Sequence, residues 1–325
     1  MSWGPLRDVR TWLVAGALAA VLCALLIPRI KLQRNVYDVL AVVDITTSMN
    51  TRDMMVGHEK VSRLQAAKTA LRDMLAKLPC QSRLGLGFFT ERRTFLLFDP
   101  VEVCENFAAI DEAIAMLDWR MAWEGDSYVA KGLYSAVELA GKLKADLVFI
   151  TDGHELPPLP FSGLPPFEGK PEDVGGIVVG DGGRTMTPLL KYDEEGREIG
   201  TYGEQEVPQE NRSGPPPPDA ASRPGYHPKW APFGSAVAHN NEHMAVVREA
   251  YLKQLASVTG LSYTYLGDTP GLLAPFEVAA HPRALAVATD VRAVPGSLAL
   301  ALLVLLFALA ALPGARLANS TRTEL

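Results

Sequence analysis

The stretch "VVDITTSMN", residues 42–50, ends a run of aliphatic residues with an aspartate and then places hydroxyls at Thr46, Thr47 and Ser48. The run itself, "VYDVLAVV" (36–43), reads as a buried strand. In a doubly wound sheet, ligands bind in the crevice at the carboxyl ends of the strands. An acid that closes a buried strand therefore sits where a ligand would be met.

Working outward, apolar runs alternate with helical periodicity, the pattern of a layered α/β domain. Strands are expected at 36–43, 83–89, 94–98, 146–151, 175–179 and 261–266, and helices at 60–78, 106–117, 128–143 and 241–258. In the first helix, Leu64, Ala67, Leu71, Met74, Leu75 and Leu78 share one face. The fourth strand ends in "ITDG", so Asp152 is expected to stand beside Asp44 at one rim. Two carboxylates about 4–6 Å apart repel unless a cation lies between them. Thr46 and Ser48 occupy alternate loop positions and can turn neutral oxygens toward the same point, the oxygen shell that a hard divalent ion takes. Taken alone, Asp-Thr-Thr-Ser is also a helix cap. With "TDG" after a second buried strand, the metal reading accounts for more of the sequence.

These elements resemble the von Willebrand factor A (vWA) domain. "DITTS" is similar to its D-x-S-x-S element, with Thr46 in place of the first serine, "EGDSYVAKGL" places Ser127 where the family carries threonine, and "TDG" supplies Asp152. The resemblance implies a Rossmann-like sheet of six strands, mostly parallel with one antiparallel edge strand. It also implies a metal-ion-dependent adhesion site (MIDAS) formed by Asp44, Thr46, Ser48, Ser127 and Asp152, binding Mg²⁺, or Ca²⁺ or Mn²⁺. "PCQSRLGLGFFTERR", "PVEVCEN", "DWRMAWEGDS", "YDEEGREIGTYGE" and "GYHPKWAPFG" further resemble the membrane-anchored Mxa-type accessory proteins of bacterial methanol-oxidation clusters. Bat-type proteins share the layout of two anchors. That likeness implies a role in assembling, or loading metal into, a periplasmic enzyme such as methanol dehydrogenase or another quinoprotein dehydrogenase.

A chain of 325 residues, 48% hydrophobic, can bury a sizeable core, and a formal charge of -6 gives no reason to expect nucleic acid. Residues 11–28 and 293–315 carry no charge, and each run is long enough to cross a bilayer core of about 30 Å. The expected organisation is a tail and anchor over 1–34, a vWA domain over 35–268 with a long excursion at 181–240, a linker over 269–293, a transmembrane helix over 294–315 and a tail over 316–325. A cleaved signal peptide is the alternative for the first run, but no small-x-small site precedes "RIKLQR". The excursion, with its "GPPPPD" tract, is expected either as partly disordered chain or as a lid.

Arg29, Lys31 and Arg34 against Arg7 and Arg10 mildly favour a cytoplasmic domain. The cysteines argue otherwise. Cys80 and Cys104 are equidistant from a turn near Arg92, so a hairpin would bring them opposite each other. A disulfide there implies an oxidising compartment, hence the periplasmic face of a bacterial inner membrane; two unrelated buried thiols are the alternative.

Two enzyme readings compete. Asp44 followed by "ITTS" faintly resembles the aspartyl nucleophile loop of haloacid-dehalogenase phosphatases, but the second acid of that loop is absent. "HNNEH" (239–243) matches H-x-x-E-H, which requires both histidines on one helix face, whereas Asn240 and Asn241 suit a cap that starts the helix after His239. Trp119 and Trp123 flank the second metal loop and either anchor a partner or pack beneath it, and His154, which with Glu155 follows the metal aspartate, either bonds its waters or holds a rim position with no metal role. "YHPKW" either closes over the site or tethers the excursion. The expectation is a binding module, not an enzyme. Two carboxylates and three hydroxyls leave a coordination position for a partner's acidic side chain.

Overall fold

The computed structural model describes residues 9–26, 29–235 and 238–311. Two units separate, one spanning Val36–Arg283 and the other formed by the two ends of the chain.

The larger unit is built on six strands: β1 (Asp38–Asp44), β2 (Arg83–Thr90), β3 (Arg93–Glu102), β4 (Asp146–Thr151), β5 (Gly176–Gly180) and β6 (Ser262–Tyr265). Their spatial order is β6-β5-β4-β1-β2-β3, parallel throughout except for the β2–β3 hairpin at one edge. The aliphatic run of β1 reflects burial on both faces, as parallel sheets require. Val39, Ala41 and Val43 face α1 (Arg63–Lys77), α2 (Phe107–Ala115) and a final helix, α5 (Leu273–Ala279). Leu40 and Val42 face α3 (Val129–Leu143) and α4 (Glu249–Thr259). Each fully buried Val or Leu contributes roughly 1.5–3 kcal/mol, so the two-sided core holds the strand ends rigidly in register. Packing is close at Gly132 of α3, where an added Cβ would lie 2.1 Å from the Phe89 ring.

Register is what places the chemistry. Val43 pairs with Ile150 and Thr151 with Gly180, so Asp44, Asp152 and Asp181 follow the carboxyl ends of three adjacent parallel strands.

Three expectations need correction. The helix expected over 241–258 begins only at Glu249. Residues Met244–Ala245 instead pair with Thr187–Pro188, and that ladder outweighs the local capping preference of Asn240 and Asn241. The linker expected over 269–293 contributes α5, whose Phe276 is fully buried against Tyr37 in the core. A hairpin of Arg52–Val56 with Glu59–Ser62 stands before α1, which starts at Arg63 with Ser62 as its cap. Outside these corrections, the described part of the 181–240 excursion folds as a lid. Its main ribbon pairs Leu190–Tyr192 with Glu198–Thr201, and it is tied down by Arg52 to Glu198 (2.7 Å) and by Trp119 against Tyr192 (4.7 Å between rings).

In the smaller unit, helices Val9–Leu26 and Ala293–Ala311 pack through Ala17, Ala20, Ala299 and Leu302, and strands Arg29–Val36 and Arg283–Asp290 form a two-stranded ribbon. Val9–Leu26 is long and apolar enough to cross a membrane, whereas the C-terminal apolar stretch Ala293–Leu309 is shorter. The end of the expected span, 312–315, lies outside the described residues, as do both expected tails apart from the strand and helix ends named above.

Candidate metal centre

Asp44 ends β1 fully buried, because the strand that carries it is central. Its Oδ1 accepts the Thr46 amide (2.9 Å) and the Thr46 hydroxyl (2.7 Å), and its Oδ2 accepts the Thr151 hydroxyl (2.6 Å). The loop then turns into a short 3₁₀ segment, Thr47–Asn50, which sets Ser48 Oγ 3.5 Å from Thr46 Oγ1. Ser127 arrives from the loop before α3. Its backbone is clamped to Leu156 by reciprocal hydrogen bonds of 2.7 and 2.8 Å, but its buried hydroxyl has no partner among the described residues.

Asp152 follows β4 and is also fully buried. Gly153 turns the chain with φ +79°, where a Cβ would press on Leu252 at 3.0 Å; only glycine meets that turn without strain. One Asp152 oxygen accepts the His154 amide at 2.8 Å, and the other accepts the guanidinium of Arg63. Arg63 is fully buried too, and its remaining donors grip Asp53. Asp181, after β5, is buried with neither carboxylate oxygen hydrogen-bonded among the described residues. Among the described residues, these loops thus adjoin four carboxylates and one guanidinium.

That balance shows in the acidities. Burial, reinforced by the charge of Asp152, pushes Asp44 up to about 7 against the hydrogen bonds from Thr151 and Thr46. Burial raises Asp181 as well, with Arg63 opposing and the other aspartates adding. Burial lowers His154, whose ring nitrogens have no hydrogen-bond partner among the described residues, although Nε2 lies 3.7 Å from Glu242. The folded domain consequently holds a proton on Asp44 at a pH where the unfolded chain, with an ordinary value of 3.8, has lost it. The sign follows: without an ion, this residue's contribution to stability falls as pH rises from about 4 toward 7. Thermal unfolding in EDTA at pH 5 and 7.5 should show the loss in wild type, and Asp44→Asn should show a smaller one.

Thr46, Ser48, Ser127 and His154 line one cavity of about 220 Å³, whose other wall is the lid residues Leu189, Tyr202, Glu206, Val207 and Pro208. The five residues expected as ligands therefore converge on one rim, with the three hydroxyls facing a common space. A divalent ion fits this donor set: the orphaned Ser127 hydroxyl and the unneutralised carboxylates are groups it would satisfy.

Residues 39–154 match the von Willebrand factor type A domain. The fold is vWA-like. A crystal structure of an aerotolerance-related membrane protein from Bacteroides fragilis, with multiple mutations to serines, is 14% identical with a TM-score of 0.43, over 75% of this chain and 96% of that one. An uncharacterized membrane spanning protein from Vibrio fischeri is 16% identical with a TM-score of 0.27, over 71% of this chain and 91% of that one. No curated protein matches the sequence.

Other expected residues fall elsewhere on the domain. Trp119 packs between the core and Tyr192 of the lid, so its ring is engaged within the chain. Trp123 is exposed and stands edge-on to Phe95 at 4.6 Å. His239 pairs with Glu204 at 2.7 Å, and residues 239–243 are not helical, so the helix face that H-x-x-E-H requires is not formed. In "YHPKW", His227 pairs with Ala231 across a tight turn and leaves Trp230 exposed. Cys80 and Cys104 are joined as a disulfide with exposed half-cystines, which removes the reading as two buried thiols. Sequence reasoning missed Asp53, Arg63 and Asp181. For Asp181 a signal existed, since "IVVGDGG" again sets an acid just after a buried strand.

Proposed function

We propose that the vWA-like domain binds a divalent cation, Mg²⁺ in the first place, through Asp44, Thr46, Ser48, Ser127 and Asp152, and through that ion engages an acidic side chain of a protein partner. The observation that carries this reading is the buried, unpartnered Ser127 hydroxyl, which shares a cavity with the Thr46 and Ser48 hydroxyls beside the buried Asp44. Domains of this type commonly mediate protein–protein interaction. Few anionic ligands leave a bound ion electrophilic, which favours capturing a carboxylate and supplies no nucleophile for catalysis. The role is then that of an assembly or metal-insertion factor, tethered to a bacterial inner membrane with the domain on the periplasmic side. The apolar helix Val9–Leu26 and the Cys80–Cys104 disulfide support that placement. A periplasmic quinoprotein dehydrogenase such as methanol dehydrogenase is the client to try first.

The lid wall supplies apolar area around the ion, so ion and rim should act together. Recovery of partners from periplasmic extract should fall sharply for Asp44→Ala and equally for wild type in EDTA, and it should respond to chelator more than to salt. Recovery of the same proteins by wild type and Asp44→Ala, with and without EDTA, removes the metal from the account.

A further inference from the structure

Arg63 sits where charged residues are rarely left: fully buried, at the first position of α1, where the helix dipole disfavours a cation. The site is nonetheless built around it. The Arg63 amide is held by Thr51 O at 3.1 Å, Nε donates to Asp53 Oδ1 at 2.9 Å, Nη2 donates to Asp53 Oδ2, and Nη1 donates to Asp152 Oδ2. The guanidinium lies against Gly182, where a Cβ would stand 2.8 Å from Cζ and where φ is +145°, so any other residue at 182 would collide with it. The second Asp152 oxygen already accepts the His154 amide.

We infer that Arg63 is a built-in counter-cation that limits how tightly the domain holds its metal ion, by neutralising Asp152 from inside the fold. This rests on the cation site proposed above. While the guanidinium is in place, Asp44 is the ligand carboxylate with no cation beside it, and the ion meets a like charge across Asp152. Arg63 is thus a positioning residue. It keeps the acidic rim stable when the ion is away and keeps the ion exchangeable when it is bound, as a protein that passes or senses a metal requires.

The test is calorimetry of the full-length protein in detergent with Mg²⁺ and with Mn²⁺. Removing a unit charge one carboxylate away from the ion changes affinity on the order of ten- to a hundredfold. Arg63→Met should therefore bind both ions at least tenfold tighter than wild type, while Arg63→Lys, which keeps the charge, should stay within a few fold of it. The thermal midpoint of Arg63→Met should be lower in EDTA and should recover further on adding Mn²⁺ than that of wild type. A purely structural arginine predicts the opposite, weaker binding in both variants, and affinity in Arg63→Met equal to or below wild type overturns the inference. If Arg63→Met does not fold, Arg63→Gln, which keeps a polar donor on the Asp53 side without the charge, decides by the same criterion. If wild type binds neither ion, the cation site fails and the role of Arg63 with it.

Discussion

Asp44→Ala and Asp152→Ala should each abolish divalent-cation binding in calorimetry, a loss of a hundredfold or more, while Thr46→Ser keeps it within a few fold. The reason is the composition of the site. Its negative charge comes from two ligand carboxylates, one of them already shared with Arg63, so deleting either leaves mainly neutral oxygens for an ion that needs charge. Thr46 contributes a hydroxyl whose other duty is to donate to Asp44 Oδ1, and serine performs both tasks. His239→Ala, at a residue paired with Glu204, should leave binding unchanged. The two aspartate variants should differ in stability without an ion. Asp44→Ala relieves repulsion between buried carboxylates, whereas Asp152→Ala strips Arg63 of a partner, and breaking a buried pair costs about 3–5 kcal/mol. Unchanged affinity in both variants would eliminate the metal centre.

The second large effect concerns the disulfide. Reducing it, or replacing Cys80 and Cys104 with serine, should cost about 3 kcal/mol, because the bridge closes a loop with a sequence separation of 24 and removes that loop's freedom from the unfolded chain. The bridge also reports the compartment. Its exposed half-cystines should resist alkylation in intact cells until reductant is added, and a reporter fused after Leu325 should be active in the cytoplasm. Free alkylation of both cysteines in unreduced protein would move the domain to the cytoplasmic side, where a scaffold role replaces the periplasmic one.

Sequence alone determined the parallel sheet, because strands buried on both faces must be continuously apolar and their ends are marked by the polar residues that follow. It also determined where the five proposed ligands lie. Asp44, Thr46 and Ser48 are spaced within one loop and Asp152 follows a buried strand, whereas Ser127 was legible only through the resemblance to the vWA domain. Tertiary structure decided what local rules cannot see. Asn240 and Asn241 have strong capping preference, yet the pairing of Met244–Ala245 with a strand far away in sequence delays the helix to Glu249. Phe276, in a stretch that reads as linker, is buried because α5 closes one face of the sheet. Arg63 is the plainest case. By composition it belongs in solvent at the start of an amphipathic helix, and only the convergence of Asp53, Asp152 and Gly182, each from a different segment, makes a buried guanidinium stable and sets it against the ion's own ligand.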